Sequence, residues 1–123
     1  MILLRQLLEE NDRAYTGMST AGHPIITMVG TTKVFKGMSA IGMPLYTVNG
    51  NKLFKGNSPS GQPLATLVGD LIFQGTEVSG TPIARIKNTF SLAGTNTTGT
   101  PVVTVPSGNI TTLFAATYHA LRG

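Results

Sequence analysis

The sequence contains no cysteine and no tryptophan. Disulfide frameworks, zinc ribbons and thiol nucleophiles are excluded on that ground, and composition favours neither an oxidising nor a reducing compartment. Charge is also scarce. Only 11% of the 123 residues are charged, less than half the usual share of about 25%. A surface this poor in charge is expected to be covered by a partner. The net charge of +4 comes from nine Lys and Arg against five acids. Nucleic-acid binders are more basic and interleave aromatics with their basic residues, so no specific nucleic acid is expected. No apolar run approaches the ~18 residues that cross a bilayer. The apolar stretch from Ile2 to Leu8 is too short for a signal-peptide core and is interrupted by Arg5 and Gln6. The expectation is a soluble protein made in the cytoplasm and not exported by a cleaved signal.

What the sequence does have is a repeat. The frame Gly, four residues, Gly, one residue, Pro occurs at Gly17/Gly22/Pro24, Gly37/Gly42/Pro44, Gly56/Gly61/Pro63, Gly75/Gly80/Pro82 and Gly94/Gly99/Pro101. Its second glycines are spaced by 20, 19, 19 and 19 residues. After each Pro comes a short run that alternates apolar positions with a slot holding Thr in four units and Arg85 in the other, as in Ile25-Ile26-Thr27-Met28 and Leu45-Tyr46-Thr47-Val48. That alternation, rich in β-branched residues, marks a half-buried strand. A second strand is marked by Val34-Phe35-Lys36-Gly37, Leu53-Phe54-Lys55-Gly56, Ile72-Phe73-Gln74-Gly75 and Ser91-Leu92-Ala93-Gly94. Phe35, Phe54, Phe73 and Leu92 share one slot and are expected to stack along the core. Asn49-Gly50 between two such strands signals a type I′ hairpin turn.

The fold expected is therefore all-β, with five tandem hairpin repeats of about nineteen residues. Two architectures satisfy it: an antiparallel meander of about ten strands that curls into a barrel or two packed sheets, or a β-solenoid. Lysines recur as Lys33/Lys52 and Lys36/Lys55. A solenoid would stack these like charges at about 4.8 Å, whereas a meander doubles the spacing and is preferred.

Three segments follow. Residues 1–14 are expected to form an amphipathic helix with Leu3, Leu4, Leu7 and Leu8 on one face, too short to stand without docking. Residues 15–109 carry the repeats. Residues 110–123 close the array: Ile110 to Phe114 reads as the start of an incomplete sixth unit, while Phe114, Tyr118 and Leu121 fit a turn or two of helix.

Candidate chemistry is thin. His23 and His119 have no nearby carboxylate or second histidine at metal-ligand spacing, and neither a metal nor a cofactor is expected. Asp70 and Glu77 do not suggest a carboxylate pair for acid–base work. Ser19, Ser39 and Ser58 share a slot suited to turns. No enzyme is expected.

One resemblance attaches to particular residues. Gly61-Gln62-Pro63-Leu64-Ala65-Thr66-Leu67-Val68-Gly69-Asp70, Gly80-Thr81-Pro82-Ile83-Ala84-Arg85 and Val48-Asn49-Gly50 resemble the Pro-Ala-Ala-Arg (PAAR) repeat of spike-tip proteins from phage tails and type VI secretion systems. The resemblance implies a small β-rich cone capping a trimeric spike. It covers about a third of the chain, and the cysteine and histidine cluster that binds metal in that family is missing here.

The functional expectation is a non-enzymatic structural protein acting as a homo-oligomer: a bacteriophage virion component such as a capsid decoration, head fibre or tail-associated subunit. Its contact surfaces are expected at Leu3, Leu4, Leu7 and Leu8 and at a patch of Lys33, Lys36, Lys52 and Lys55. For the lysines the plainer reading is a strand edge protected from aggregation. The rival from another class is a ligand-binding module presenting a flat row of Thr27, Thr47, Thr66 and Thr104, with Tyr46 nearby, to polysaccharide or ice.

Overall fold

The structure, a computed structural model, describes residues 11–18, 22–30, 32–38 and 42–123. These residues form ten strands and one helix. In chain order the strands are β1 (Asn11–Thr16), β2 (Ile26–Val29), β3 (Lys33–Lys36), β4 (Tyr46–Asn49), β5 (Lys52–Lys55), β6 (Ala65–Val68), β7 (Leu71–Gln74), β8 (Ala84–Lys87), β9 (Phe90–Ala93) and β10 (Val103–Thr104). The helix, α1 (Ile110–Arg122), follows them. Every strand pairs antiparallel with its chain neighbour, and β10 pairs with β1, so the meander closes into a barrel. Closure leaves no unpaired edge.

The glycine-proline frame supplies this register. Five backbone bonds repeat at its first glycine, from Gly17 N to Val102 O and from Gly37, Gly56, Gly75 and Gly94 N to Ile25, Leu45, Leu64 and Ile83 O, all at 2.8–2.9 Å. The Gly17 bond is made across the seam. There β10 and β1 pair Thr104 with Tyr15 and Val103 with Thr16, as β2 and β3 pair Thr27 with Phe35 and Ile26 with Lys36. The two ends of the sheet thus build one more hairpin-like pair without a connecting turn.

The tight turns differ from the expected type. Asn49 pairs with Lys52, which leaves Gly50 and Asn51 as the central residues, and of these Gly50 alone has positive φ, at 65°. A positive φ at the first central position only is the type II′ pattern, not type I′. Val29 pairs with Lys33 and so leaves three residues in its loop. That extra residue is the source of the one spacing of 20.

The inner wall carries Ala14, Ile26, Met28, Val34, Tyr46, Val48, Leu53, Ala65, Ile72, Ala84, Ile86, Val103 and Val105, in one cluster with Leu113, Phe114, Ala115, Ala116 and Tyr118 of α1. Seven consecutive helix residues, Thr112 to Tyr118, are buried. The helix packs against β1, β8, β9 and β10 and also against β4, across the ring. A helix buried on all sides by strands from opposite walls runs through the lumen, and a ten-stranded barrel is wide enough to admit one. Asn109 starts it: its side chain accepts from Thr111 N at 2.9 Å and Thr112 N at 3.1 Å.

Ile110 to Phe114 is therefore helix, not the opening of a sixth strand unit. At the other end, residues 11–14 of the expected N-terminal helix belong to β1, and residues 1–10 lie outside the described residues.

The outer wall corrects two further expectations. Phe54, Phe73 and Leu92 are buried and Phe35 is partly so, but none of the four belongs to the cluster inside the barrel. They sit opposite Thr27, Thr47, Thr66 and Arg85 on the outward face, as Tyr15 sits opposite Thr104. The connections reach back over this face, where Asn57 O and Thr97 O accept from Lys33 and Lys87. The threonine row is consumed in the same way. Thr27, Thr47, Thr66 and Thr104 donate to the carbonyls of Gly37, Gly56, Gly75 and Gly17 at 2.6–2.7 Å, and the first three are buried. They do not form an exposed flat face.

Arg85 occupies the threonine slot of the remaining hairpin, and its Nε is buried with no partner among the described residues. Arg85→Thr is expected to add a hydroxyl bond to Gly94 O and remove that orphan donor, stabilising the fold by about 1 kcal/mol. Urea unfolding of the variant checks this: an unchanged or lower midpoint contradicts it.

Candidate functional site

The barrel has two unlike mouths. The tight turns at Gly30, Gly50, Gly69 and Asn88 surround one, and the long connections after Gly17, Gly37, Gly56, Gly75 and Gly94 surround the other. The helix starts at the first. There the Asp12 carboxylate accepts from Thr112 Oγ1 at 2.9 Å and Ser107 Oγ at 2.7 Å. The helix leaves by the second, where its last residues meet β4, β5 and β7.

A cavity of about 350 Å³ opens at this second mouth, lined by Leu45, Tyr46, Lys55, Leu64, Tyr118, His119, Arg122 and Gly123. Its polar centre is a hydrogen bond of 2.7 Å between Tyr46 Oη and His119 Nδ1. Phenol is the better donor and unprotonated imidazole nitrogen the better acceptor, which places the remaining ring proton on Nε2. Tyr118 stands edge-on to Tyr46, with ring centres 6.0 Å apart and planes at 87°. Arg122 Nε donates to Gln74 Oε1 at 3.0 Å, which holds its guanidinium beside the opening. Gly123 packs against the pair so closely that a Cβ there would overlap the imidazole and the Tyr46 hydroxyl.

The electrostatics are cationic. Burial, and then the positive charge of Lys36, holds the His119 pKa below the usual histidine value. Burial, and then the neighbouring Tyr118, pushes Tyr46 up to about 12. No carboxylate side chain lines the cavity. In this tautomer the Nδ1 lone pair of His119 is committed to the Tyr46 hydroxyl.

Both shifts make stability depend on pH. The unfolded chain takes up the His119 proton first as pH falls below about 6.5, so this contribution, complete above that value, is lost toward the lowered folded pKa. For Tyr46 the unfolded phenol ionises near 10 and the folded one near 12. The folded state therefore loses stability between those pH values, by less than the ~2–3 kcal/mol of a fully enclosed group because solvent at the mouth screens the phenolate. Urea midpoints measured from pH 9 to 12 are expected to fall for the parent and to fall less for Tyr46→Phe; parallel curves contradict the assignment.

The sequence-derived surface residues do not form one site. Lys33 and Lys52 lie on the outer wall, where Lys33 Nζ donates to Asn57 O at 3.0 Å and Lys52 Nζ to Asn51 Oδ1 at 3.4 Å. Lys36 and Lys55, three residues on and hence on the opposite pleat, stand at the second mouth, Lys55 in the cavity lining and Lys36 within charge reach of His119. Leu3, Leu4, Leu7 and Leu8 lie outside the described residues. His23 is exposed on a connection. His119 is the residue that sequence reasoning passed over, because its partner Tyr46 is 73 positions away. Among the described residues no group of three or more His, Asp or Glu is placed to hold a metal.

Comparison with known proteins adds one finding. A family model described as "6-fold beta flower protein" matches residues 6–117. This overturns the PAAR resemblance: the match spans nearly the whole chain, whereas the PAAR-like motifs cover a third and lack the metal-binding residues. The description says six, while the glycine-proline frame occurs five times in this sequence. No curated protein and no solved structure matches.

Proposed function

Starting from a chain that belongs to the 6-fold beta flower family, we propose a non-catalytic structural subunit that works in a homo-oligomer or against other proteins of a larger assembly. The observation that carries this reading is a barrel filled by its own helix, with apolar side chains displayed on the connections outside it. The lumen, where barrels of this size enclose ligands, is occupied by Leu113, Phe114, Ala115 and Ala116. Met18, Met38 and Met43 are 72%, 53% and 75% exposed around the second mouth. Exposed methionines suit adaptable protein contacts.

The barrel is read as five equivalent hairpin units, the fifth assembled from β10 and β1. A bacteriophage virion component, a capsid decoration, head fibre or tail-associated subunit assembled in the host cytoplasm, is the specific form of the proposal. A rigid closed barrel with 11% charged residues supports it. Among the described residues no helix is long and apolar enough to cross a membrane.

Size-exclusion chromatography with light scattering, over a concentration series, tests the reading. The full chain is expected to self-associate, and Met18→Ser, Met38→Ser and Met43→Ser combined are expected to reduce the assembled fraction at least about tenfold, as loss of ~1.4 kcal/mol of contact does. A protein that stays monomeric and binds a glycan or ice specifically overturns it.

A further inference from the structure

We infer that the cavity at the second mouth is a binding site for a small organic carboxylate with a flat apolar body. At about 350 Å³ it falls in the range of small-ligand pockets. Its walls divide by chemistry. Leu45 and Leu64, both partly buried, and the perpendicular rings of Tyr46 and Tyr118 supply apolar and aromatic surface. Lys55 and Arg122 supply two positive charges at the opening.

Among the described residues, which do not include Glu9 and Glu10, no acidic side chain stands opposite those charges in the cavity lining. Asp12 is engaged by Ser107 and Thr112 at the first mouth, Asp70 sits in a tight turn there, and Glu77 accepts from Ser79 on a connection. Lys55 is exposed and makes no hydrogen bond to the described residues. Arg122 is aimed by Gln74 through Nε and donates from Nη1 to Leu121 O at 3.4 Å, which leaves Nη2 to donate to a carboxylate at the opening. The cation pair sets the charge of the ligand, and the leucine and tyrosine walls require that something apolar be attached to it. A bare inorganic anion satisfies only the first condition, and a neutral aromatic only the second.

The site is independent of the assembly reading, and the test separates the two. The full chain, ¹⁵N-labelled, is titrated with benzoate, with benzyl alcohol and with inorganic phosphate, and amide shifts are followed. Benzoate is expected to give saturable shifts confined to Leu45, Tyr46, Leu64 and Tyr118 to Gly123, with a Kd at least about tenfold lower than either control. Lys55→Gln is expected to weaken benzoate about tenfold, and Lys87→Gln, on the outer wall, to leave it unchanged. Both substituted residues are exposed, and a dispersed spectrum verifies folding. Equal response to benzoate and benzyl alcohol, shifts scattered over the barrel, or an unaltered Lys55→Gln affinity each overturns the inference.

Discussion

Replacing Phe114 by alanine is expected to lower the thermal unfolding midpoint by roughly 10–20 °C, corresponding to about 3–5 kcal/mol. Phe114 is fully buried, the largest such side chain in the protein, and it stands on the helix that fills the lumen. Removing its ring leaves a void that the surrounding wall cannot close. Each wall strand is hydrogen-bonded on both sides, so no strand moves inward without breaking its ladder. The loss is a large share of the 5–15 kcal/mol by which domains are ordinarily stable. Differential scanning calorimetry decides the matter: a fall of less than about 5 °C would mean that the helix is not the core of this barrel.

The second large effect concerns a polar pair inside the same core. Thr117 Oγ1 donates to Ser91 Oγ at 2.7 Å, and both residues are fully buried. Ser91→Ala is expected to cost about 1–3 kcal/mol, because the Thr117 hydroxyl is left without its acceptor and away from water. Thr117→Val, which keeps the shape, strands the Ser91 hydroxyl at comparable cost. The double substitution removes both groups together and is expected to be less destabilising than the sum of the single changes by about 1 kcal/mol or more. Strict additivity in urea unfolding would show that the two hydroxyls do not depend on one another. The pair also helps fix the rotation of the helix, together with the Thr112–Asp12 and His119–Tyr46 bonds nearer its two ends.

Much of this architecture was legible in the sequence because glycine and proline mark the chain at every unit. The tight period, the alternation after each proline and the spacing of the lysines together point to an antiparallel meander, and the barrel is its closed form. The orientation of the faces was less accessible. Both faces of these strands are covered, the inner by the helix and the outer by the connections, so Ile26 and Phe35 look equally like core residues although they face opposite ways. Period-two patterning shows that neighbours alternate; it does not say which side closes over a helix.

The helix itself was half concealed. Ile110-Thr111-Thr112 is β-branched and continues the local style of the strands, but from Leu113 onward four apolar residues in a row fit neither a half-buried strand nor an amphipathic helix. A helix buried on every side, with its few polar groups paired, is what an enclosed site requires. The signals were Asn109 as a cap and thirteen residues free of glycine and proline after a stretch, Gly17 to Gly108, punctuated by both. For the mouth cavity no local signal existed. Tyr46 is an alternating strand residue and His119 a helix residue, and only closure of the ring brings them to 2.7 Å.

The path of the backbone has a mechanical consequence. Asn11 begins β1 at the tight-turn mouth, and Arg122 ends the helix at the connection mouth, so the polypeptide enters the ring on one side and leaves on the other. A load applied between those two points runs along the barrel axis and pulls the plug through the hoop toward its exit. The two-residue strand β10, held by one residue pair to β9 and two to β1, has the shortest ladders in the hoop and is where it is expected to yield first.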